Sequence, residues 1–593
     1  MDFPRNINLA RAFLLPLKLT PFHAALRLFH RLLGSFKTFF TMMVTAAFIN
    51  TAIAVLQKSA PYASIFPPLG GLLLLLVWDQ IVGGLVQFSN TRQNIKLRLL
   101  FRVPFTEKRA RLEYRHVENP KVWDMVSRTW EKPEDKIGEL WESFLNLADL
   151  LISSVSVFAV LIAQVWWSGL LTIAVTVPLL YLAMQSGKKV YDAEKEVSKV
   201  TRKNTFLSGI LTSREAALER SLFGFTPKIN EEFRKEFDHA RKYVVNAQLK
   251  RFVLVKSVGL AGAAISSFVL FTLIPPVMAG KLSIGLFISL TAALFNLIQW
   301  MSWTLPNCLQ QISRSREYLK DVNEFFSLSE AKEADCLPAT APPEFRSLEF
   351  RNVIFAYPGT DKRILDGLSL KIEAGRHYSF VGVNGAGKTT IAKLLTRLYD
   401  DYEGEILLNG RNLKSYAMAE VKSVFAAVFQ DFAKYQISLS DNIGLGNVHG
   451  ADEGKIRSAV ETIGLTDAVE KLSAGIHTNL GKIKDDGVDL SGGEWQRIAM
   501  ARSIISPAPV KILDEPTAAL DPIAEARLYE KFEEISRGLT TIFISHRLGS
   551  TKLADTIFVL EGGKIAEEGS YAELMEKRGI YAEMFESQRS WYL

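Results

Sequence analysis

The fold of the C-terminal half is decided by residues 378–390, which read YSFVGVNGAGKTT. The apolar run Tyr378 to Val381 predicts a strand, and it leads directly into the phosphate-binding pattern G-x-x-x-x-G-K-[ST]. Glycines let backbone N–H groups turn inward around phosphate oxygens, and the following helix offers its positive N-terminus. Residues 347–593 are therefore predicted to form an α/β P-loop NTPase domain.

The same loop predicts the cofactors, which are ATP and Mg²⁺. Lys388 would neutralise the β- and γ-phosphates, and the hydroxyl of Thr389 would ligate Mg²⁺. The residues expected to bind nucleotide here are Asn384, Gly385, Ala386, Gly387, Lys388, Thr389 and Thr390.

A second strand, Val510 to Leu513, ends in two carboxylates, Asp514 and Glu515. Because the carboxyl ends of parallel strands meet at one edge of a sheet, both should lie near the phosphates. We expect Asp514 to hold Mg²⁺ and Glu515 to polarise the water that attacks the γ-phosphate.

Residues 490–494, which read LSGGE, lie between these motifs. They predict another helix N-terminus suited to anions. One phosphate chain does not need two such helix ends from a single domain. Ser491, Gly492 and Gly493 are therefore expected to bind ATP that is held by a second subunit.

The order of these motifs resembles that of ABC ATPases. Walker A lies at 382–389, followed by Gln430, the signature at 490–494, the Walker B strand with Glu515, and His546. The constellation is specific to that family, since each motif alone would be weak.

The resemblance implies further roles. Tyr357 would stack on adenine, Gln430 would sense Mg²⁺ and connect to the membrane domain, and His546 would contact the γ-phosphate. Residues 519–521 resemble the loop between subunits. For His546, a buried structural histidine is the alternative.

The N-terminal half differs in composition. Hydrophobic residues make up 48% of the 593-residue chain and concentrate before about residue 310, in runs that approach the ~20 residues needed to cross a bilayer. Six transmembrane helices are predicted, at Phe39–Leu56, Pro67–Phe88, Leu145–Val165, Leu170–Met184, Phe252–Ile274 and Ile284–Leu305. The predicted domains are an N-terminal segment at 1–38, an all-α transmembrane domain at 39–326, a linker at 327–346 and the NTPase domain.

The net charge of +7 is interpreted as membrane topology, and no nucleic-acid partner is expected. Connections at about 92–145 and 185–250 are long and rich in Lys and Arg, whereas the others are short. Both termini are then predicted to be cytoplasmic. The N-terminal segment is also basic, with Arg5, Arg11, Lys18, Arg27, Arg31 and Lys37 against Asp2.

After the helix-start signal Thr20-Pro21, the residues Phe22, Leu26, Phe29 and Leu33 recur at helical spacing. This pattern suits a basic amphipathic helix on the membrane surface. An ordinary packed helix gives the same pattern.

Polar residues within the predicted spans mark a candidate substrate cavity. Asp79 lies midway through the second span and could meet a cationic cargo group or a proton, or could form a packing hydrogen bond. On the sixth span, Asn296, Gln299, Trp303 and Asn307 share one helical face. This face lines a wet cavity or bonds to neighbouring helices.

Six spans followed by this NTPase domain resemble the exporter-type half-transporter of the ABC family. Glu118-Asn119-Pro120 and the segment 214–224 resemble its two coupling loops, and residues 429–435, 491–496 and 518–522 are similar to nisin-type lantibiotic exporters. The signature departs from that group in ending with Glu494, where Gln is more frequent.

The resemblance implies an ATP-driven exporter of an amphipathic substrate, such as a peptide or a hydrophobic drug. The expected assembly is a homodimer in a bacterial cytoplasmic membrane, with a heterodimer as the alternative. A lipid flippase, a multidrug pump and an ABC-type regulator or channel share the same motifs. Cys308 and Cys336 lack the spacing of a disulfide framework or metal site and receive no role.

Overall fold

The computed structural model describes residues 7–167, 201, 203–213, 216–516, 538–545 and 548–589. They divide into two compact units. The first comprises the residues up to Ala110 together with Lys121–Leu328, and the second comprises Arg111–Pro120 together with Ser329–Leu593. A ten-residue segment of the N-terminal half, Arg111–Pro120, therefore belongs to the second unit. We call this segment the excursion.

All regular secondary structure in the described residues of the first unit is helical. Its helices are α1 (Leu9–Leu19), α2 (Pro21–Leu56), α3 (Phe66–Ala110), α5 (Pro120–Trp130), α6 (Pro133–Gln164), α7 (Ala217–Phe223), α8 (Thr226–Met278) and α9 (Ile284–Ser327), with α4 (Tyr114–Glu118) in the excursion. Of the two segments that resemble coupling loops, Glu118-Asn119-Pro120 spans the junction of α4 and α5, and Gly224 follows the last residue of α7.

Four segments in the described part of the chain are long and apolar enough to cross a membrane. They are Pro21–Leu56, Tyr62–Ala110, Pro133–Gln164 and Ile284–Ser327. They contain the first, second and sixth predicted spans and all of the third except Val165. The fifth predicted span lies within α8, where Ser267–Met278 is apolar. The fourth, Leu170–Met184, lies outside the described residues. The chain is a multi-pass membrane protein.

Helix α2 crosses the predicted boundary at residue 38. A separate helix, α1, precedes Thr20, and the helix that begins at Pro21 continues without a break to Leu56. Its inner face buries His23, Ala24 and Arg27, whereas Phe22, Phe29 and Leu33 of the predicted apolar stripe are exposed. The choice between a membrane-surface helix and a packed helix stays a prediction.

A polar network joins α2 to α3 and α6. The guanidinium of Arg27 donates to Gln93 Oε1 at 2.7 Å and to the carboxylate of Glu142. Arg31 lies 3.4 Å from Glu142 and 3.5 Å from Asp149. Two of the basic residues that were assigned to membrane topology are therefore paired within the helical unit.

The second unit contains two sheets within its described residues. The strands are β1 (Ser347–Ala356), β2 (Arg363–Glu373), β3 (His377–Gly382), β4 (Glu403–Leu408), β5 (Arg411–Asn412), β6 (Phe425–Val428), β7 (Val510–Asp514), β8 (Thr540–Ile544), β9 (Thr556–Glu561) and β10 (Lys564–Gly569). The helices are α10 (Lys388–Leu395), α11 (Met418–Val424), α12 (Leu439–Gly444), α13 (Glu453–Thr462), α14 (Thr466–Glu470), α15 (Gly492–Ile505), α16 (Tyr571–Lys577) and α17 (Ile580–Arg589). The sheet orders are β2-β1-β4-β5 and β10-β9-β3-β8-β7-β6.

The larger sheet places the predicted motifs at one edge. Strand β8 pairs in parallel with β3 on one side and with β7 on the other. Their carboxyl ends therefore lie together, and the chain continues there into the phosphate loop, Glu515 and Ser545. The sheet is anchored by fully buried side chains such as Phe380, Ile512 and Ile542.

A buried lysine stabilises this unit by capping α15. Lys511 on β7 is 3% exposed, and its Nζ donates to the carbonyls of Ser503 at 2.7 Å and Ser506 at 2.6 Å. Helix C-termini leave carbonyls without intrahelical partners, so these two bonds satisfy groups that would otherwise be buried and unpaired.

Lys511→Met is expected to destabilise the full-length protein by about 1–3 kcal/mol, since it leaves both carbonyls without a donor. Burial lowers the pKa of Lys511 to about 8, whereas the unfolded chain keeps the proton to about pH 10. The unfolded state then binds more protons between these values, so the advantage of Lys over Met should grow as pH rises.

Thermal unfolding of both variants at pH 7 and 9.5 measures these effects. Lys371→Met is the matched control, because Lys371 on β2 is 59% exposed and pairs with Glu373 at the surface. Equal unfolding temperatures for the Lys511 variant and the wild type would contradict the capping role.

Candidate functional site

The phosphate loop closes between β3 and α10. Gly382 has φ 149° and Gly387 has φ 104°, backbone conformations that residues with a side chain rarely adopt. Space is also limited, because a Cβ at Gly382 would lie 2.4 Å from the carbonyl oxygen of Leu560, and one at Gly387 would lie 2.7 Å from Leu365 Cδ2. Glycine is thus required at both ends of the loop.

Lys388 is the first residue of α10 and is 5% exposed. Its Nζ donates to the carbonyls of Gly382 at 2.8 Å and Val383 at 3.1 Å. Burial lowers the pKa of Lys388, while Glu515 and Asp514 act in the opposite direction. The loop therefore holds an ammonium group against its own carbonyls, where phosphate oxygens could replace them as partners.

Asp514 ends β7 and is 1% exposed. Within the described residues, neither carboxylate oxygen makes a hydrogen bond of ordinary geometry. Burial raises the pKa of Asp514 to about 6, and the neighbouring Thr389 hydroxyl acts against this shift. A buried carboxylate with free oxygens beside a hydroxyl fits a hard divalent cation, for which oxygen ligands are preferred.

Hydrogen bonds from two glutamines and one to a neighbouring strand position Glu515. Gln430 Nε2 donates to Glu515 Oε2 at 2.9 Å, Gln496 Nε2 donates to the carbonyl of Glu515 at 3.0 Å, and the N–H of Glu515 donates to Ile544 O at 2.8 Å. The backbone φ of Glu515 is 51°, a left-handed conformation that costs about 1–3 kcal/mol for a residue of this type. The surrounding bonds therefore fix a strained residue.

Gln496 was not predicted as a site residue. It is 3% exposed on α15, one turn after the signature glycines, and it connects that helix to Glu515. A buried glutamine on a helix requires a polar partner. The sequence could not show that its partner is a carbonyl 19 positions further along the chain.

The signature forms the N-terminus of α15. Ser491 Oγ and its backbone N–H each lie 2.7 Å from Glu494 Oε2, and the N–H of Glu494 donates to Ser491 Oγ at 3.3 Å. This is a capping box. Among the described contacts of the chain, none joins Ser491 to the phosphate loop. Gly492 and Gly493 open the helix.

Tyr357 follows β1 and packs at the other end of the nucleotide region. Its hydroxyl lies 2.9 Å from Thr390 Oγ1 on α10. The ring makes edge contacts with Phe355 at 5.1 Å and Tyr399 at 5.5 Å between centroids. Lys393 Nζ lies 5.3 Å from the ring centroid. The aromatic group is thus positioned against the helix that carries Lys388.

Some predicted residues lie outside the structural description. His546 and residues 519–521 are outside the described residues, as is the side chain of Asp79. Of the phosphate loop, Asn384 and Gly385 are exposed and Ala386 is buried. The structure therefore brings together Lys388, Thr389, Asp514, Glu515 and Gln430.

The helical unit contains a cavity of about 800 Å³. Three of the predicted residues, Asn296, Gln299 and Trp303, line it, and so does Trp78 beside Asp79. Asn307 lines a second cavity of about 720 Å³, to which Trp303 also contributes. Helix α2 adds polar residues that were not predicted, namely His30, Arg31, Lys37, Thr38, Thr41 and Thr45.

Comparisons with known proteins agree with this arrangement. Residues 365–518 match the family model described as ABC transporter. The subtilin transport ATP-binding protein SpaT of Bacillus subtilis is 28% identical over 553 residues, which cover 92% of this chain and 89% of that protein. The ATP-dependent lipid A-core flippase of Escherichia coli K12 is 39% identical over 241 residues, which cover 41% of each chain.

A solved structure matches nearly the full length of the chain. The ATP-bound structure of a bacterial Atm1-family ABC exporter has a TM-score of 0.69, is 23% identical, and is matched over 95% of this chain and 98% of that chain. This likeness shows the fold, which is a helical N-terminal part with apolar helices followed by an ATPase domain with mixed sheets.

Proposed function

We propose, from the premise that this chain is an ATP-hydrolysing ABC exporter, that its cargo is an amphipathic peptide of the lantibiotic kind. One observation carries the proposal, which is that the cavity of about 800 Å³ is lined both by Trp78, Trp300 and Trp303 and by polar groups such as Asn296 and Gln299. Aromatic rings suit the apolar face of such a peptide, and amides suit its backbone.

The comparisons favour this cargo over a lipid. The relative named for subtilin transport aligns with 92% of this chain, whereas the lipid A-core flippases align with 41%. A flippase or a multidrug pump is the second candidate, because the flippase match has the higher identity, at 39%.

The ATPase chemistry would use the residues that the fold brings to one edge of the larger sheet. Mg²⁺, when bound, would be held by Thr389 and Asp514 with Gln430 nearby, and would neutralise phosphate charge. Lys388 would exchange its loop carbonyls for phosphate oxygens. Glu515, fixed by Gln430, would orient and polarise the attacking water. His546 would contact the γ-phosphate.

A homodimer is proposed because contact with a second copy would give a function to two surfaces of the chain. The capped end of α15 at Ser491 makes no described contact with the phosphate loop, so it would close on the ATP of a second copy. Helix α7 exposes Leu218, Leu222 and Phe223 at 83%, 78% and 71%. Apolar side chains grouped in this way mark an interaction surface.

The transport cycle follows from binding thermodynamics. ATP would close two nucleotide domains because it binds the closed dimer better than the open one. The two connections at 92–145 and 185–250 would carry this movement to the cavity, with both termini in the cytoplasm of a bacterium. Hydrolysis would then reset the dimer.

The ATPase rate of the purified protein in lipid bilayers tests the cargo, with lantibiotic-like peptides, phospholipids and cationic drugs added separately. Selective stimulation by peptides is expected. Equal stimulation by lipids or by many drugs would reassign the protein to the flippase or multidrug class.

Gln299→Leu is expected to reduce peptide stimulation by about 5-fold while basal ATPase activity stays unchanged, since a lost hydrogen bond is worth about 1 kcal/mol. Ser313→Ala on the same helix is the control, because Ser313 Oγ donates to Leu309 O and lines neither cavity. A Gln299 variant with unchanged stimulation would remove the cavity from the cargo path.

A further inference from the structure

The signature carries one residue to which the proposed function gives no role, and that residue is Glu494. It stands where nisin-type exporters more often have glutamine. Glutamate and glutamine are nearly equal in size and both complete a capping box, so the two differ mainly by one unit of charge. The ten residues 485–494 contain four carboxylates and neither Lys nor Arg. The signature thus presents negative charge where phosphate is proposed to bind.

Glu494 occupies the groups of Ser491 that a phosphate would need. The backbone N–H and the Oγ of Ser491 each lie 2.7 Å from Glu494 Oε2. A serine hydroxyl has a single proton to donate, so Ser491 cannot donate to Glu494 and to a phosphate oxygen at the same time. Hydrogen bonds to an ionised acceptor are also stronger than those to a neutral one. Phosphate binding at Ser491 therefore requires that a charge-assisted bond be broken.

The charge of Glu494 also lies at the positive end of α15. Helix N-termini attract anions through their unpaired N–H groups and the helix dipole, and Glu494 lies in the first turn of this helix. Within the described residues, Glu494 takes part in no ion pair, because Arg497 donates to the carbonyl of Gly464 at 2.7 Å instead. A phosphate oxygen bonded to Ser491 Oγ would lie within about 5 Å of this carboxylate. The two negative charges would repel each other.

A second capping box of the same kind opens α16. The N–H of Ser570 donates to Glu573 Oε2 at 2.7 Å, and the N–H of Glu573 donates to Ser570 Oγ at 3.4 Å. Helix α16 follows β10 and lies outside the predicted ATPase motifs. Replacing Glu573 with Gln therefore makes the same change of charge in the same local structure, but away from the signature.

We propose that Glu494 weakens the binding of the partner's ATP at Ser491 and thereby raises the ATP concentration at which the dimer closes. This inference rests on the proposed function, in which α15 of one copy closes on the ATP of the other. Glu494 acts through Ser491 and through its own charge, so it is a positioning residue. Loss of the charge should make closure possible at lower ATP concentrations without changing the chemistry at Glu515.

The test measures the ATPase rate of the full-length protein in bilayers as a function of ATP concentration, in about 0.1 M and about 1 M salt. The variants are Glu494→Gln, Glu573→Gln and Ser491→Ala. Gln at position 494 can still accept the bonds from Ser491, so the capping box should persist. Thermal unfolding of each variant verifies that its fold is intact.

We expect Glu494→Gln to lower the KM for ATP by about 5-fold to 10-fold at the lower salt concentration, the effect of one unit charge at about 5 Å near the protein surface. Its kcat should stay within about two-fold of the wild type. In about 1 M salt, screening should reduce the difference in KM to about two-fold. Glu573→Gln should have the KM of the wild type at both salt concentrations.

An unchanged KM for Glu494→Gln would overturn the inference, and so would a lowered KM that does not respond to salt, because charge would then not be its cause. An equal shift in Glu573→Gln would assign the effect to helix capping. Ser491→Ala separates this inference from the proposed function, which requires that variant to have a raised KM. If Ser491→Ala keeps the KM of the wild type, the proposed role of the signature is refuted. If its KM rises while that of Glu494→Gln is unchanged, only the role of Glu494 is refuted.

Discussion

Replacing Glu515 with Gln is expected to lower the ATPase rate of the purified protein by about 10²–10⁴-fold, the usual contribution of a general base. ATP binding should persist, because the amide oxygen of Gln can still accept the hydrogen bond that Gln430 Nε2 donates at 2.9 Å. The substitution removes the negative charge that, under the proposed mechanism, would polarise water. Hydrolysis would then be too slow to reopen the dimer, so the variant should accumulate in the closed state.

Phosphate release measures the ATPase rate, and retention of radiolabelled ATP measures ATP binding. Glu561→Gln is a suitable control, since Glu561 also ends a strand of the same sheet, β9, and is exposed. Its rate should match that of the wild type. Substantial turnover by the Glu515 variant would exclude Glu515 as the base.

Arg27→Met is expected to destabilise the helical unit by about 1–3 kcal/mol, because buried acceptors lose a charged donor, while the Glu142 side chain is 37% exposed and can be partly hydrated. Arg27 is 4% exposed and bonds to both Gln93 and Glu142. The remaining carboxylate of Glu142 would keep only the longer contact with Arg31 at 3.4 Å.

Chemical denaturation in detergent measures the loss, and the double variant Arg27→Met with Glu142→Gln tests its origin. If the cost comes from an uncompensated charge, the double variant should regain more than half of the stability. Arg457→Met removes an exposed pair with Glu453 on α13 and should change stability by less than about 1 kcal/mol. A double variant as unstable as the single one would assign the loss to packing.

The parts of the site that could be predicted from the sequence are those formed by residues that are contiguous along the chain. The loop that contains Lys388 and the carboxylates after β7 are contiguous motifs, and their strands were recognisable from short apolar runs. Contacts between distant segments were not predictable in this way. Gln496 with Glu515 and Arg27 with Glu142 each require knowledge of which elements pack together.

The same limit applies to the membrane half. The lengths of the apolar runs predicted four spans that the structure describes. They did not indicate that α2 would begin 18 residues before its predicted span. A polar side chain in a helix has the same sequence signature whether it faces a cavity or another helix. Hence Asn296 and Gln299 became cavity residues only when their surroundings were known.

Helix α2 is continuous, and different parts of it serve bilayer insertion and ion pairing. Its 36 residues extend for about 54 Å, whereas the hydrocarbon of a bilayer is about 30 Å thick. The apolar part from Phe39 to Leu56 extends for about 27 Å, close to that thickness, so a span placed there would leave Arg27 and Arg31 outside the hydrocarbon. Insertion into lipid therefore depends on the C-terminal part of α2, and charge pairing depends on its N-terminal part. A nascent chain could cross the bilayer correctly and still fail quality control, because its charged end had not found α6.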